Sequence, residues 1–114
     1  MGSLTFREKD FVHLHLHSDY SLLQSTIQLK PLAKRLEELG MQACALTDYG
    51  NMYGAISFFN SMKSAGIRPI VGYQPFVSTT SRLSRDVARG SDRPFYDLVL
   101  LAEDRLGYQN LVQL

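Results

Sequence analysis

Hydrophobic and polar positions alternate first along Phe11–Ser21, FVHLHLHSDYS, with period two. That alternation predicts a β-strand with His13, His15 and His17 on one face and Val12, Leu14 and Leu16 on the other, ready to pack under helices. A polar bend over 18–28 follows. Leu29, Leu32, Ala33, Leu36 and Leu39 then recur at helical spacing, with Lys30, Lys34, Arg35, Glu37 and Glu38 turned to water. Pro31 fits the first turn and Gly40 is placed to end the helix in a left-handed conformation. The short apolar run 42–47 predicts a buried strand, and Asp48-Tyr49-Gly50-Asn51 a turn. A second helix is predicted with Met52, Ala55, Ile56, Phe59 and Met62 on one stripe, closed by Gly66.

Arg68–Val77 predicts a third strand, which Gly72 and Pro75 should bend near its end. Residues 78–93, rich in Ser, Thr and Arg, predict a loop. Phe95–Ala102 predicts a further strand, and Asp104 a cap for a last helix that turns Leu106, Leu111 and Leu114 inward. The order β-α-β-α-β-loop-β-α implies an α/β fold of parallel βαβ units. Right-handed crossovers would gather the strand C-terminal ends on one face. His15, His17, Asp48, Tyr49 and Gln74 would meet there. Four strands cannot close a barrel, so the expectation is a small open sheet or an incomplete barrel, truncated after the last helix.

Composition narrows the classes. Of 114 residues, 45% are hydrophobic, enough for a core, and a net charge of +1 gives no global argument for nucleic acid or membrane. The single cysteine, Cys44, excludes an intramolecular disulfide and reads as a buried, reduced thiol. No apolar run approaches the roughly 20 residues of a membrane span, and the start lacks a signal core, so a cytoplasmic protein is expected. Residues 1–10 read as a leader, with Met1–Leu4 carried over from an expression vector, and 11–114 as the folded unit.

All three histidines of the chain lie in the first strand. Alternate histidines stand roughly 7 Å apart on one strand face, a spacing suited to metal ligation. The plainer alternative is histidines satisfied by ordinary hydrogen bonds. Arg82, Arg85, Arg89 and Arg93 offer a contact for DNA or a partner, the first three sharing a face if helical, against the plainer reading of a solvated loop. His17, Ser18 and Asp19 resemble a triad in composition only, because neighbours on a strand point to opposite faces. Gly50 and Gly54 lack the spacing of a phosphate-binding fingerprint.

Four stretches, HLHLHSDYSLL, ALTDYGNMYGAISF, AGIRPIVGYQPFV and LLAEDRLGYQNLVQL, resemble in order and spacing the PHP (polymerase and histidinol phosphatase) domain. The version resembled is the one at the N-terminus of bacterial DNA polymerase III alpha subunits. The resemblance runs from Phe11 to Leu114 and covers about the first half of a PHP domain. It implies part of a distorted (β/α)7 TIM-like barrel. It also implies, in intact members, a cluster of two or three zinc or manganese ions serving a 3′–5′ exonuclease. Other members have lost the cluster and serve as structural domains that bind a separate proofreading exonuclease.

Carried over position by position, the H-x-H pair of metal ligands falls on His15 and His17. The acid of Ser-Leu-Leu-Asp-Gly falls on Gln24, the histidine of Thr-Asp-His-Gly on Tyr49, and the glutamate of Gly-Tyr-Glu on Gln74. Asp48 survives, but in the family its neighbour is the ligand. Neutral amides cannot offset or bridge several divalent cations, and Tyr49 would ligate only as phenolate, from a pKa near 10. The resemblance therefore implies no catalytic residue here and no firmly expected cofactor, with His15 and His17 as remnants of a metal site. The implied role is structural and subunit-docking, within a parent DNA-directed DNA polymerase whose magnesium-dependent centre lies elsewhere. Implied partners are the rest of that alpha subunit, a proofreading exonuclease subunit and DNA through the parent, with no membrane. The rival readings are a metal-dependent exonuclease or phosphoesterase, and a free-standing binding module of the same fold.

Overall fold

The computed structural model describes residues 10–83 and 95–114; apart from Asp10, the leader lies outside them. Helix α1 (Leu29–Glu38) buries Leu29, Ala33 and Leu36, as its spacing predicts. It ends at Gly40, whose φ of 68° lets its N–H reach Glu37 O and the N–H of Met41 reach Leu36 O. This closure satisfies carbonyls the helix would otherwise leave open. Strand β1 (Ala43–Leu46) follows, then helix α2 (Ala55–Ser64), closed in the same way by Gly66 at φ 72°. Strand β2 (Arg68–Tyr73) lies parallel to β1, with Ala43 opposite Arg68 and Leu46 opposite Val71. Leu29, Ala33, Leu36, Cys44, Leu46, Phe58, Met62 and Ile67 form one core between α1, α2 and this pair.

Strand β3 (Phe76–Ser78) and strand β4 (Phe95–Asp97) form an antiparallel pair, and strand β5 (Leu100–Leu101) runs antiparallel to β2. Helix α3 (Arg105–Gln113) is capped by Asp104, whose side chain accepts from the N–H of Gly107 at 2.8 Å. Among the described residues the main sheet has the order β1-β2-β5. The fold is therefore mixed α/β around a parallel β1–β2 pair.

Six expectations need correction. The histidine segment is not a regular strand: it makes one isolated parallel bridge, His13 to Cys44. The N–H of Leu16 goes to the Thr47 side-chain oxygen at 3.0 Å, a diversion that ends the ladder. Leu14 is accordingly exposed, while Leu16 packs on the core. The strand predicted over 68–77 breaks at Gln74-Pro75, and the one over 95–102 divides at Leu98-Val99. The sheet is not wholly parallel. Gly72 has no side chain, and a Cβ there would stand 2.6 Å from Leu100 O, so only glycine admits β5 so closely.

Helix α2 begins at Ala55; Ala55 and Met62 are buried as predicted, but the rest of the apolar stripe is shifted. Phe58 enters the core, fully buried, while Ile56 (62% exposed) and Phe59 (43% exposed) line an open groove toward α3. On α3 only Leu111 is buried; Leu106 and Leu114 face outward. No helix among the described residues is long and apolar enough to cross a membrane.

Candidate functional site

The ends of the histidine segment, β1 and β2 converge, and the chain beyond each is tied to the others. Thr47 N–H donates to Leu16 O (2.8 Å), Gln74 N–H to Asp48 O (3.0 Å) and Gly50 N–H to Gln74 O (3.0 Å). Beneath the surface, the Asp48 carboxyl group accepts from the Ser18 N–H at 2.6 Å, the Ser18 hydroxyl at 2.7 Å and the Ser21 hydroxyl at 2.8 Å. Ser21 Oγ in turn accepts from the N–H of Tyr49 at 2.9 Å. Ser18, Ser21 and Asp48 are all but inaccessible to solvent. Buried oxygens are tolerable only when so paired, and the described residues leave no buried side-chain oxygen or nitrogen without a partner.

Above this cluster stand His15 and His17, their rings 5.2 Å apart and nearly perpendicular. The Gln74 side chain reaches between them. Its Oε1 lies 2.7 Å from His15 Nε2 and 2.6 Å from His17 Nε2. An amide oxygen only accepts, so in this arrangement both rings carry their proton on Nε2. The Nε2 lone pairs are then absent, and only Nδ1 of each ring remains as an acceptor. His13 does not join them; its ring meets Phe11 edge-on at 4.7 Å.

Tyr49 comes from the turn after β1. Its ring lies 6.1 Å from that of His17 and edge-on to Phe76 at 4.8 Å, and Phe76 continues to Phe95 at 4.7 Å. Gly50, at φ 75°, makes room for this row, since a Cβ there would stand 2.7 Å from the Phe76 ring. The structure thus brings together His15, His17, Tyr49 and Gln74, four of the positions the resemblance marks. Gln24 stays apart. Its side chain is exposed, and its backbone N–H donates to Ser21 O.

Arg82 is exposed on the turn after β3, while Arg85, Arg89 and Arg93 lie outside the described residues. The triad-like neighbours do not form a triad, because the Ser18 hydroxyl serves Asp48 and not His17. Among the described residues no group of three or more His, Cys, Asp or Glu stands close enough to hold a metal ion. A multi-metal cluster needs several anionic donors, and the donors gathered here are two imidazoles and one neutral amide. The set does not fit such a cluster.

Sequence reasoning missed the clamp of Ser18 and Ser21 on Asp48. Its signal was faint: two serines three apart beside the histidines and one acid after β1.

Comparison with known proteins supports the motif reading. A family model described as the PHP domain matches residues 13–114. The DNA polymerase III alpha subunit of Helicobacter pylori (strain J99) is 45% identical over 104 residues, 91% of this chain and 8% of the relative. That of Thermus aquaticus is 42% identical over 106 residues, 91% of this chain and 9% of the relative. That of Borreliella burgdorferi is 40% identical over 114 residues, covering 97% and 10%. The chain spans about a tenth of the length of these curated relatives. With the four motifs in register and nearly the whole chain matched, this protein belongs to the PHP domain family.

Proposed function

We propose that this chain is the PHP segment of a bacterial replicative DNA polymerase alpha subunit, and that hydrogen bonds rather than metal ions hold its histidine site. The supporting observation is the single Gln74 oxygen accepting from both imidazoles. Where a metal ligand's carboxylate would stand, a neutral amide consumes the donor protons of His15 and His17 and offers no charge. Gln24 and Tyr49 fall on two further ligand positions without restoring it. No base or metal-bound hydroxide is then placed to attack a phosphodiester.

The segment acts as a scaffold within part of a distorted (β/α)7 barrel. Its parent joins nucleoside triphosphates into DNA in the cytoplasm at a distant magnesium-dependent centre. The remainder of that subunit, DNA and a separate proofreading exonuclease subunit are its partners, with Arg82, Arg85 and Arg89 on the surface offered to them. The relatives carry the polymerase reading, because those matched are alpha subunits.

The test uses the parent protein that contains this segment. Its gene should encode a chain of polymerase length. After dialysis against zinc and manganese it should retain well under one such ion per chain and leave a 3′-labelled oligonucleotide intact. Two or more retained ions with metal-dependent trimming would establish the exonuclease reading instead.

A further inference from the structure

Gln74 and His17 belong to segments distant in sequence, and one residue touches the support of both. The Asp48 side chain holds Ser18, the neighbour of His17, by its N–H and its hydroxyl, and holds Ser21 by its hydroxyl. Its backbone carbonyl accepts from the N–H of Gln74 at 3.0 Å. We infer that Asp48 is the positioning residue of this site, fixing the histidine segment against Gln74 so that the two-ring hydrogen bond forms.

The anchors on His17 come from both sides. Leu16 is held through its N–H and its carbonyl by Thr47, and Ser18 by Asp48, so consecutive residues after β1 grip the residues flanking His17. The carbonyl of His17 itself accepts from the Ser25 hydroxyl at 2.7 Å. The backbone at His17 therefore has little freedom, and its ring is aimed by the clamp and not by packing alone. Asp48 is 1% exposed, with Tyr20 packed over Gly54 beside it: a Cβ on Gly54 would stand 2.8 Å from the Tyr20 ring and 3.3 Å from Asp48 Oδ2. Asp48 does not touch the space between the imidazoles, so it acts through Ser18, Ser21 and Gln74.

This inference rests on the preceding reading only in taking the His15–Gln74–His17 bridge as its output. Its test is imidazole NMR on the full 15N-labelled 114-residue chain, in which the three histidines give three ring systems and His13 is an internal reference. In the unaltered protein the Nε2 protons of His15 and His17 should exchange more slowly than the ring proton of His13, because both are held on Gln74 Oε1. Asp48→Ala should speed their exchange by about tenfold or more and shift both rings, leaving His13 in place. Ser21→Ala should do the same to a smaller extent, and Asp48→Asn, which keeps one acceptor oxygen, should restore most of the unaltered spectrum. Phe58→Leu, a core change of general destabilising effect, should leave the rings where they are.

Unshifted His15 and His17 in a folded Asp48→Ala protein would overturn the inference, as would equal shifts in Phe58→Leu. Should Asp48→Ala fail to fold, Ser21→Ala decides by the same criteria. If the unaltered protein shows neither ring hydrogen-bonded, the bridge reading fails. A His17 shift confined to the Asp48 and Ser21 variants would still uphold the positioning role.

Discussion

Two regions of this molecule are equally buried and held together by different physics. Between the helices and the sheet, the side chains of Phe58 and Met62 have no exposed surface and are secured by shape and apolar contact. At the strand ends, Ser18, Ser21, Thr47 and Asp48 are just as inaccessible, yet each is secured by directed hydrogen bonds. Packing energy scales with the area removed from water and falls off gradually as atoms are deleted. A buried hydrogen-bond cluster has a threshold instead, because removing one acceptor strands every donor aimed at it. Both regions contribute to stability, and the polar region in addition sets where the histidines stand.

The largest expected effect is in the core. Phe58→Ala should lower the unfolding free energy by roughly 3–5 kcal/mol, read from urea denaturation, because the ring fills the α2–sheet junction and leaves a cavity. Ile56→Ala, on the exposed face of the same helix, should cost under about 1 kcal/mol. Equal losses at the two positions would mean that α2 is turned as the sequence pattern suggested.

Next comes Asp48→Ala, expected to cost about 3 kcal/mol because two serine hydroxyls and one N–H lose their acceptor. The near-isosteric Asp48→Asn should cost roughly 1 kcal/mol. If alanine and asparagine were equivalent, the polar end would be behaving as simple filler, and the contrast between the regions would dissolve.

Cys44 links the two, lying on β1 within the apolar core. Burial pushes its thiol from 9.0 up to about 11. The folded protein therefore keeps this proton after the unfolded chain has lost it. Since the folded state binds more protons, its stability is undiminished below pH 9 and declines as pH rises through about 9 to 11. Urea melts at stepped alkaline pH should show that decline, and Cys44→Ala should flatten it. Alkylation of the native thiol at pH 8 should be slow and should accelerate on unfolding.

A small effect on stability also belongs to the bridge. Gln74→Leu should cost about 1 kcal/mol, because His15 is exposed and water can serve its ring, but the slow exchange of both Nε2 protons should vanish. A larger loss of stability would make Gln74 part of the clamp beneath.

Legibility in the sequence followed the same divide. Helix α1 was readable because Leu29, Ala33 and Leu36 have charged neighbours, so one face alone could be apolar. Helix α2 was ambiguous: Ile56, Phe58 and Phe59 offer two apolar faces, and only the packed sheet selects Phe58. The direction of β5 leaves no trace in a two-residue run, and the histidine strand was lost to one hydrogen bond from the Leu16 N–H to the Thr47 side-chain oxygen that no periodicity encodes. The meeting of His15, His17 and Gln74 was readable from strand ends and motif register. The clamp was not, because Ser18 and Ser21 face Asp48 only once the loop between them has its shape.

The central claim is that an amide stands where metal-ligand chemistry would require a carboxylate, and zinc titration of the 114-residue chain beside its Gln74→Glu variant tests it most directly. The substitution supplies a two-histidine, one-carboxylate donor set at the positions where Gln74 Oε1 now stands 2.6–2.7 Å from both rings. The unaltered chain should show no saturable heat with zinc, and the variant should bind about one ion per chain. Stoichiometric binding by the unaltered chain, unimproved by the glutamate, would contradict the account.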